Sequence, residues 1–355
     1  MPIYYRCPDT ERPYGGIRVI YRHVDILNRH GFEASVLHDQ APFRCAWFEN
    51  ETAIAYMRSQ PSSSARFRLR VLRPGTRRSR SATRFGDTRV RAVGADDVLV
   101  VPEVMAWQER NRAAGVRVIF NQSGYLTFSG WPDAWEPMED PYRDPTLRAV
   151  IVASETTEAY VRSAFPDLAV VRIHLSIDPE LFAYQADKKP QIAFMPRRNA
   201  GHAKEVITLL KIRSALVGWD VVPLEGMTEA ETASVLRDSA VFLSFGHPEG
   251  FGLPPAEAMR CGCVVIGYDG IGGREYFLPA HAFPIGFGDV LRYVETVEYV
   301  LGQLKNDSSS LRQMTKRASD FIASRYSPQR EESDLLRFWR AIGPDRSIGT
   351  DRGAG

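Results

Sequence analysis

The stretch AVFLSFGHPEGFGLPPAEAMRCGCVVIGYDG, residues 240–270, sets two apolar runs of strand length on either side of a short helical pattern. The outer runs, AVFLSFG and CVVIGYDG, read as strands buried on both faces. Between them, Pro254 and Pro255 have no place inside a helix but suit its first turn, so a helix is expected from there to Gly262. Strand, loop, helix and strand in that order make one unit of a parallel α/β sheet.

The same rhythm extends outward from this unit. Upstream lie a strand at IAFMP, a helix around KEVITLLKIRSAL, a strand at WDVVPLEG and a helix at EAETASVLRDS. The N-terminal half opens with IYYRC and a YGG turn. A helical spacing of Ile17, Ile20, Val24 and Leu27 follows, stopped by Gly31, and then the strand EASVL. Further strands are expected at DVLVVPE, VRVIFNQ and AVIVASE. The polar SIDPELFAYQADKKP ahead of QIAFMP reads as a linker. The expected domains are therefore 1–187 and 188–327, both Rossmann-like. A helix over 328–345 follows, with Leu335, Phe338, Trp339 and Ile342 on one face, crossing back to the first domain. The last residues, DRSIGTDRGAG, read as a frayed end.

Composition narrows the function. A chain of 355 residues with 44% apolar and 25% charged side chains is ordinary for a globular protein of two domains. Its net charge of +2 argues against a nucleic-acid binder. No run of eighteen apolar residues occurs and the first residues lack a signal-peptide pattern, so a cytoplasmic address is expected. The four cysteines, Cys7, Cys45, Cys261 and Cys263, have neither zinc-site spacing nor an evident disulfide partner and are expected as buried thiols. Residues 58–91 are crowded with arginine and serine. They read either as a solvated insertion or as a basic surface for a polyanion or an anionic membrane, which would make the protein peripheral at the inner membrane face.

Glu249 lies on the loop and Glu257 is expected in the first helical turn, which brings two carboxylates toward one strand end. Gly250 and Gly252 allow close backbone approach, and helix N-terminal amides attract anions. An anionic ligand with hydroxyl groups fits, and a nucleotide sugar has a phosphate, a ribose diol and a reacting centre. The plainer reading of Glu257 is a helix-start acid that complements the dipole. The run GFGLPP is not a dinucleotide fingerprint, because Pro255 stands where a third glycine belongs and the run does not open the chain's first β-α-β unit.

Together, EGFGLPPAEAMRCGCVVIGYDGIGGREYF, LEGMTEAETASVLRDSAVFLSF, MPRRNAGHAK and YGGIRVIYRHVDILNRHG resemble, in the same order, the motifs of the retaining GT-B glycosyltransferases of the group 1, family-four type. The resemblance implies two facing Rossmann-like domains with a cleft between them. It implies transfer of a sugar from a nucleotide-sugar donor to a glycan or lipid-linked acceptor, with anomeric configuration retained. It places Glu249 beside the donor sugar and Glu257 on the ribose. The amides of Gly252 and Leu253, in the loop of Gly250 and Phe251, would meet the phosphates. Arg197 or Arg198, with Lys204, would neutralise the leaving diphosphate, a task a metal performs in other transferases. Gly15 and Gly16 would reach the donor from the first domain, and Gly226 and Met227 would flank the base. No D-x-D occurs, and neither metal nor cofactor is expected. FNQSGY stands where relatives often carry a histidine, so Asn121, Gln122 or Ser123 would replace it. His174, His202 and His247 read as incidental. A nucleotide-sugar epimerase of the same architecture and an inactive nucleotide-sugar binder remain alternatives.

Overall fold

The computed structural model describes residues 1–57, 88–89, 93–112 and 114–342. These form two compact units, one from the described residues of 1–100 with 114–116, the other from 101–112 with 117–342. The arginine-rich stretch expected over 58–91 lies outside the described residues except for Thr88 and Arg89, as does the chain end from residue 343.

In the first unit, β1 (Ile3–Arg6), α1 (Gly15–Arg29), β2 (Ala34–His38), β3 (Ile54–Tyr56), β4 (Thr88–Arg89) and β5 (Val98–Pro102) follow in chain order. The strands lie parallel as β4-β3-β2-β1-β5, with Tyr5 opposite both Val36 and Val100. The helical spacing of Ile17, Ile20, Val24 and Leu27 is the buried face of α1, and Gly31 ends the helix at φ +81°, a conformation that favours glycine. Polar groups buried at the strand ends are paired. Arg6 donates to Leu37 O at 2.9 Å and to Asp39, and His38 lies between Asp9 (2.8 Å) and Tyr21 (2.7 Å).

The second unit begins with α2 (Ala106–Glu109), β6 (Val116–Asn121), β7 (Leu147–Val152), α3 (Glu155–Ala164) and β8 (Val170–Arg172), in which β6, β7 and β8 pair in parallel. It continues through β9 (Lys189–Phe194), α4 (Ala200–Ile212), β10 (Asp220–Pro223), α5 (Glu229–Asp238), β11 (Ser239–Ser244), α6 (Leu253–Cys261), β12 (Val264–Gly267) and β13 (Phe283–Pro284). Helices α7 (Val290–Asn306), α8 (Ser309–Arg325) and α9 (Pro328–Ala341) complete it. These five strands form a second parallel sheet in the order β10-β9-β11-β12-β13. Every residue of β11 and β12 is buried, which is why both read as unbroken apolar runs rather than alternating ones. Val206, Leu210, Tyr293, Val297 and Val300 from α4 and α7 pack into the core beside this sheet.

Leu335, Phe338, Trp339 and Ile342 are buried as their spacing implies. Two polar ties join α9 to the segment after β8. Ser176 Oγ donates to buried Glu331 at 2.5 Å, and His174 Nδ1 meets Asp334 at 2.7 Å. All four cysteines are buried and free. Among the described residues no helix is long and apolar enough to cross a membrane.

Candidate functional site

Glu249 follows β11 on a loop pinned from two sides. On one side Asn199, the residue ahead of α4, donates its amide to Phe245 O at 2.8 Å and to His247 O at 3.0 Å. On the other, Glu249 N donates to Gly270 O at 2.8 Å, forming a bridge with Ile271. Three glycines make this approach feasible. A Cβ at Gly246 would stand 3.0 Å from Glu249 Oε1, and one at Gly270 would stand 2.9 Å from Glu249 Cβ. A Cβ at Gly272 would run into the backbone of Glu249 and Gly250. The turn YDGIGG is therefore glycine-rich because it wraps the glutamate.

The Glu249 side chain keeps 24% of its surface exposed and pairs with Arg198, Nε to Oε1 at 2.9 Å. Arg198 also donates to Pro248 O at 3.1 Å, so one guanidinium holds both the loop backbone and the carboxylate. Burial pushes the Glu249 carboxyl above its ordinary value, while Arg198 and Arg197 pull it down; burial wins. Of the two arginines considered for the diphosphate, Arg198 pairs with Glu249. Arg197 is exposed beside it, and Lys204 is exposed on the second turn of α4.

Helix α6 begins at Leu253, and its glycine cap Gly252 has φ +84°. Pro254 and Pro255 carry no N–H, so Gly252 and Leu253 supply the donors left at this helix start. Glu257 departs from expectation. The helix starts one residue before the prolines, so Glu257 is its fifth residue and no acid lies in the first turn. A helix-start acid complementing the dipole is thereby set aside. The carboxylate is 5% exposed, within electrostatic reach of Tyr276 and Cys261.

Gly250 and Phe251 serve the fold directly. A Cβ at Gly250 would stand 2.8 Å from Ser123 Cα and closer still to Gln122 O, so its lack of side chain admits the 122–123 backbone. Gly250 O accepts from Ser154 Oγ at 2.5 Å. The Phe251 ring is buried between Tyr276 and Tyr326, at 5.1 and 5.0 Å. Gly226 is exposed at φ +69°, beside Met227, where the chain turns from β10 into α5. In the first unit, Gly15 and Gly16 open α1.

At FNQSGY, the Asn121 side chain is buried and donates to Thr127 Oγ1 at 2.8 Å and Tyr142 Oη at 3.0 Å. Gln122 and Ser123 remain half-buried against Gly250. His247 stacks on Phe287 at 4.0 Å, His202 meets Tyr268, and His174 pairs with Asp334.

Several contributors escaped sequence reasoning. Glu103 is buried after β5, accepts from Gln122 N at 3.0 Å, and has its carboxyl pushed up to about 7 by burial against three backbone donors. Its signal was a lone acid ending the apolar run VLVVPE. Glu275 gathers Arg172 (2.5 Å), Tyr326 Oη (2.9 Å) and the Glu155 amide (2.9 Å), tying the glycine turn to β8 and α3. Among the described residues no cluster of histidine, cysteine or acid side chains is placed to hold a metal.

Residues 200–320 match the family model described as Glycosyl transferases group 1. Over 185 residues the chain is 31% identical to an alpha-1,6-glucosyltransferase of Actinobacillus pleuropneumoniae, a match covering 50% of this chain and 54% of that protein. The chain thus spans about half the length of the curated relative it matches. Among solved structures, it is similar to sucrose-phosphate synthase from Thermosynechococcus elongatus, with a TM-score of 0.63 at 13% identity over 96% of this chain and 98% of that one. It is also similar to Anabaena HepE in complex with UDP, with a TM-score of 0.62 at 10% identity over 96% and 100%. These likenesses establish the GT-B fold.

Proposed function

We propose that this chain, whose residues 200–320 carry the group 1 glycosyl transferase region, moves a hexose from a uridine-diphosphate sugar to an acceptor with retention of configuration. The observation that carries the reading is the Arg198–Glu249 pair, held by a glycine cage just ahead in the chain of the Gly252 and Leu253 amides. An anion and a developing positive charge need opposite partners close together, and this loop presents both.

In this reading, the diphosphate lies against the Gly252 and Leu253 amides and the cations Arg198 and Lys204. These groups stabilise the charge that grows on the leaving group as the glycosidic bond breaks. Glu249 faces the anomeric carbon, where its carboxylate stabilises developing positive charge. Glu257 accepts hydrogen bonds from the ribose diol. The charge on the departing diphosphate is met by protein cations, which makes the reaction independent of a divalent metal. Retention rests on the family resemblance.

The test compares UDP with uridine by calorimetry. Arg198→Ala and Lys204→Ala should each weaken UDP at least tenfold and leave uridine within twofold, since charge-assisted contacts contribute about 1.5–3 kcal/mol. Arg197→Ala should cost UDP less than Arg198→Ala. Equal losses for both ligands, or no UDP binding by the unmodified protein, would overturn the reading.

A further inference from the structure

Between Val118 and Tyr142 the chain has no lysine or arginine and four acids, Asp133, Glu136, Glu139 and Asp140. The same segment is unusually rich in exposed rings. Tyr125, Phe128 and Trp135 are 40%, 43% and 41% exposed, and Tyr160 of α3 is 37% exposed. The rings form a continuous series. Tyr125 meets Tyr160 at 6.3 Å, Phe128 lies 6.4 Å from Tyr160 and 5.1 Å from Trp131, and Trp131 lies 5.0 Å from Trp135. Trp131 also packs on Trp107 at 5.2 Å, which fixes the centre of the series in the fold.

One end of this series reaches the candidate site. The Tyr125 hydroxyl feels the charges of Arg274 and Asp269 in the glycine turn around Glu249. The residues just before it, Gln122 and Ser123, abut Gly250. The series runs from the reacting loop outward to Trp135, within one compact unit.

We infer that the ring series from Tyr125 to Trp135 is an extended binding site for a neutral oligosaccharide acceptor. A pyranose has an apolar face of C–H groups that suits the electron-rich face of an aromatic ring, and a rim of hydroxyls that donate to carboxylates. Exposed Asp133 and Glu136 flank Trp135 and supply those acceptors. The charge pattern selects the occupant. Along 118–142 the chain carries acids and no cation of its own, and the arginines beside it, Arg110, Arg143 and Arg274, are ion-paired with Glu139, Asp140 and Asp269; an anionic lipid surface or a lipid diphosphate would have to break those pairs and face Asp133 and Glu136, whereas an uncharged glycan meets no repulsion. Exposed rings gathered into one contiguous series, rather than scattered singly, are the kind of surface that serves as a binding site. The inference rests on the proposed transfer reaction and names its acceptor class.

The test is an array of neutral oligosaccharides probed with the full-length protein, followed by titration of the strongest ligand against Trp135→Ala and Phe128→Ala. Both side chains are partly exposed, and UDP affinity serves as the control for folding. At least a tenfold loss of glycan affinity in each variant is expected. A protein that binds UDP but no neutral glycan, or variants with unchanged glycan affinity, would overturn this inference and leave the transferase reading standing. Binding of phosphatidylglycerol vesicles that is lost in Trp135→Ala would reassign the rings to a membrane. Self-association lost in the same variant would reassign them to a second copy of the chain. Absence of UDP binding would instead defeat the reading on which the inference rests.

Discussion

Replacing Glu103 by glutamine tests whether a buried carboxyl braces the loop behind the candidate site at a cost in stability. Burial raises its pKa from 4.5 to about 7, outweighing the backbone donors of Gln122 and Ser123. In the unfolded chain the carboxyl titrates near its ordinary value, so between about 4.5 and 7 the folded state binds more protons than the unfolded one. Stability therefore falls as pH rises through that window, and the full penalty is present above it. At about 1.36 kcal/mol per pKa unit, the penalty above pH 7 is on the order of 3 kcal/mol. Glutamine keeps a carbonyl for Gln122 N and carries no charge. Glu103→Gln should thus match the unmodified protein near pH 4.5 and exceed it at pH 8 by up to roughly 3 kcal/mol, on the order of 6–12 °C in Tm. Urea unfolding of both proteins at pH 4.5, 6 and 8 measures this directly. A difference that does not change with pH, or a variant less stable at pH 8, would show that the donors dominate burial and that the carboxylate is ionised at no cost.

Three other outcomes follow from the same geometry. Glu249→Gln should cut turnover by about a hundredfold or more with UDP affinity within a few fold, whereas Glu257→Gln should chiefly weaken UDP; similar behaviour in rates and calorimetry would refute their separate roles. If Glu249 works as the carboxylate that the proposed reaction requires, its burial-raised pKa means that activity should fall on acidification at a pH above the ordinary glutamate value of 4.5, and a pH–rate profile flat down to that value would contradict this. Gly250→Ala should destabilise by about 1–3 kcal/mol or more, since its Cβ meets the Gln122 carbonyl, while Gly201→Ala in α4, where the Cβ meets open space, should stabilise by about 0.5–1 kcal/mol; chemical denaturation reads both.

Much of the architecture was legible because its signals are local. Strands buried on both faces write themselves as unbroken apolar runs, so β9, β11 and β12 could be placed from IAFMP, AVFLSFG and CVVIGYDG. Prolines and glycines bracket α6 because a ring without an N–H and a left-handed cap each suit one end of a helix. The burial of α1 and α9 followed from side chains recurring at helical spacing. Short β3, β8 and β13 and the helices α2, α3, α7 and α8 went unassigned. A strand of two or three residues has no period to read, and α8 is dominated by polar side chains.

At the site, the sequence offered candidate residues, and the tertiary structure shows how they are placed. Glu249, Glu257 and the glycines at 250 and 252 suggested an anion with hydroxyl groups, and the family resemblance added Arg197, Arg198 and Lys204. That Arg198 pairs with Glu249 depends on how the 195–199 loop turns before α4, which only the folded chain shows. Whether Glu257 is a helix-start acid or a buried carboxylate depended on a one-residue shift in where α6 begins. Gly250 could be read as an opening for a ligand, yet a Cβ there would meet the backbone of Gln122 and Ser123, and Gly270 and Gly272 likewise admit Glu249 and Gly250 from a segment distant in sequence. The same holds for Glu103 and for the rings from Tyr125 to Trp135. A lone acid after an apolar strand and scattered aromatics in a loop have no period, and their meaning arises only when 103, 122 and 250, or 125, 160 and 131, are brought together by the fold.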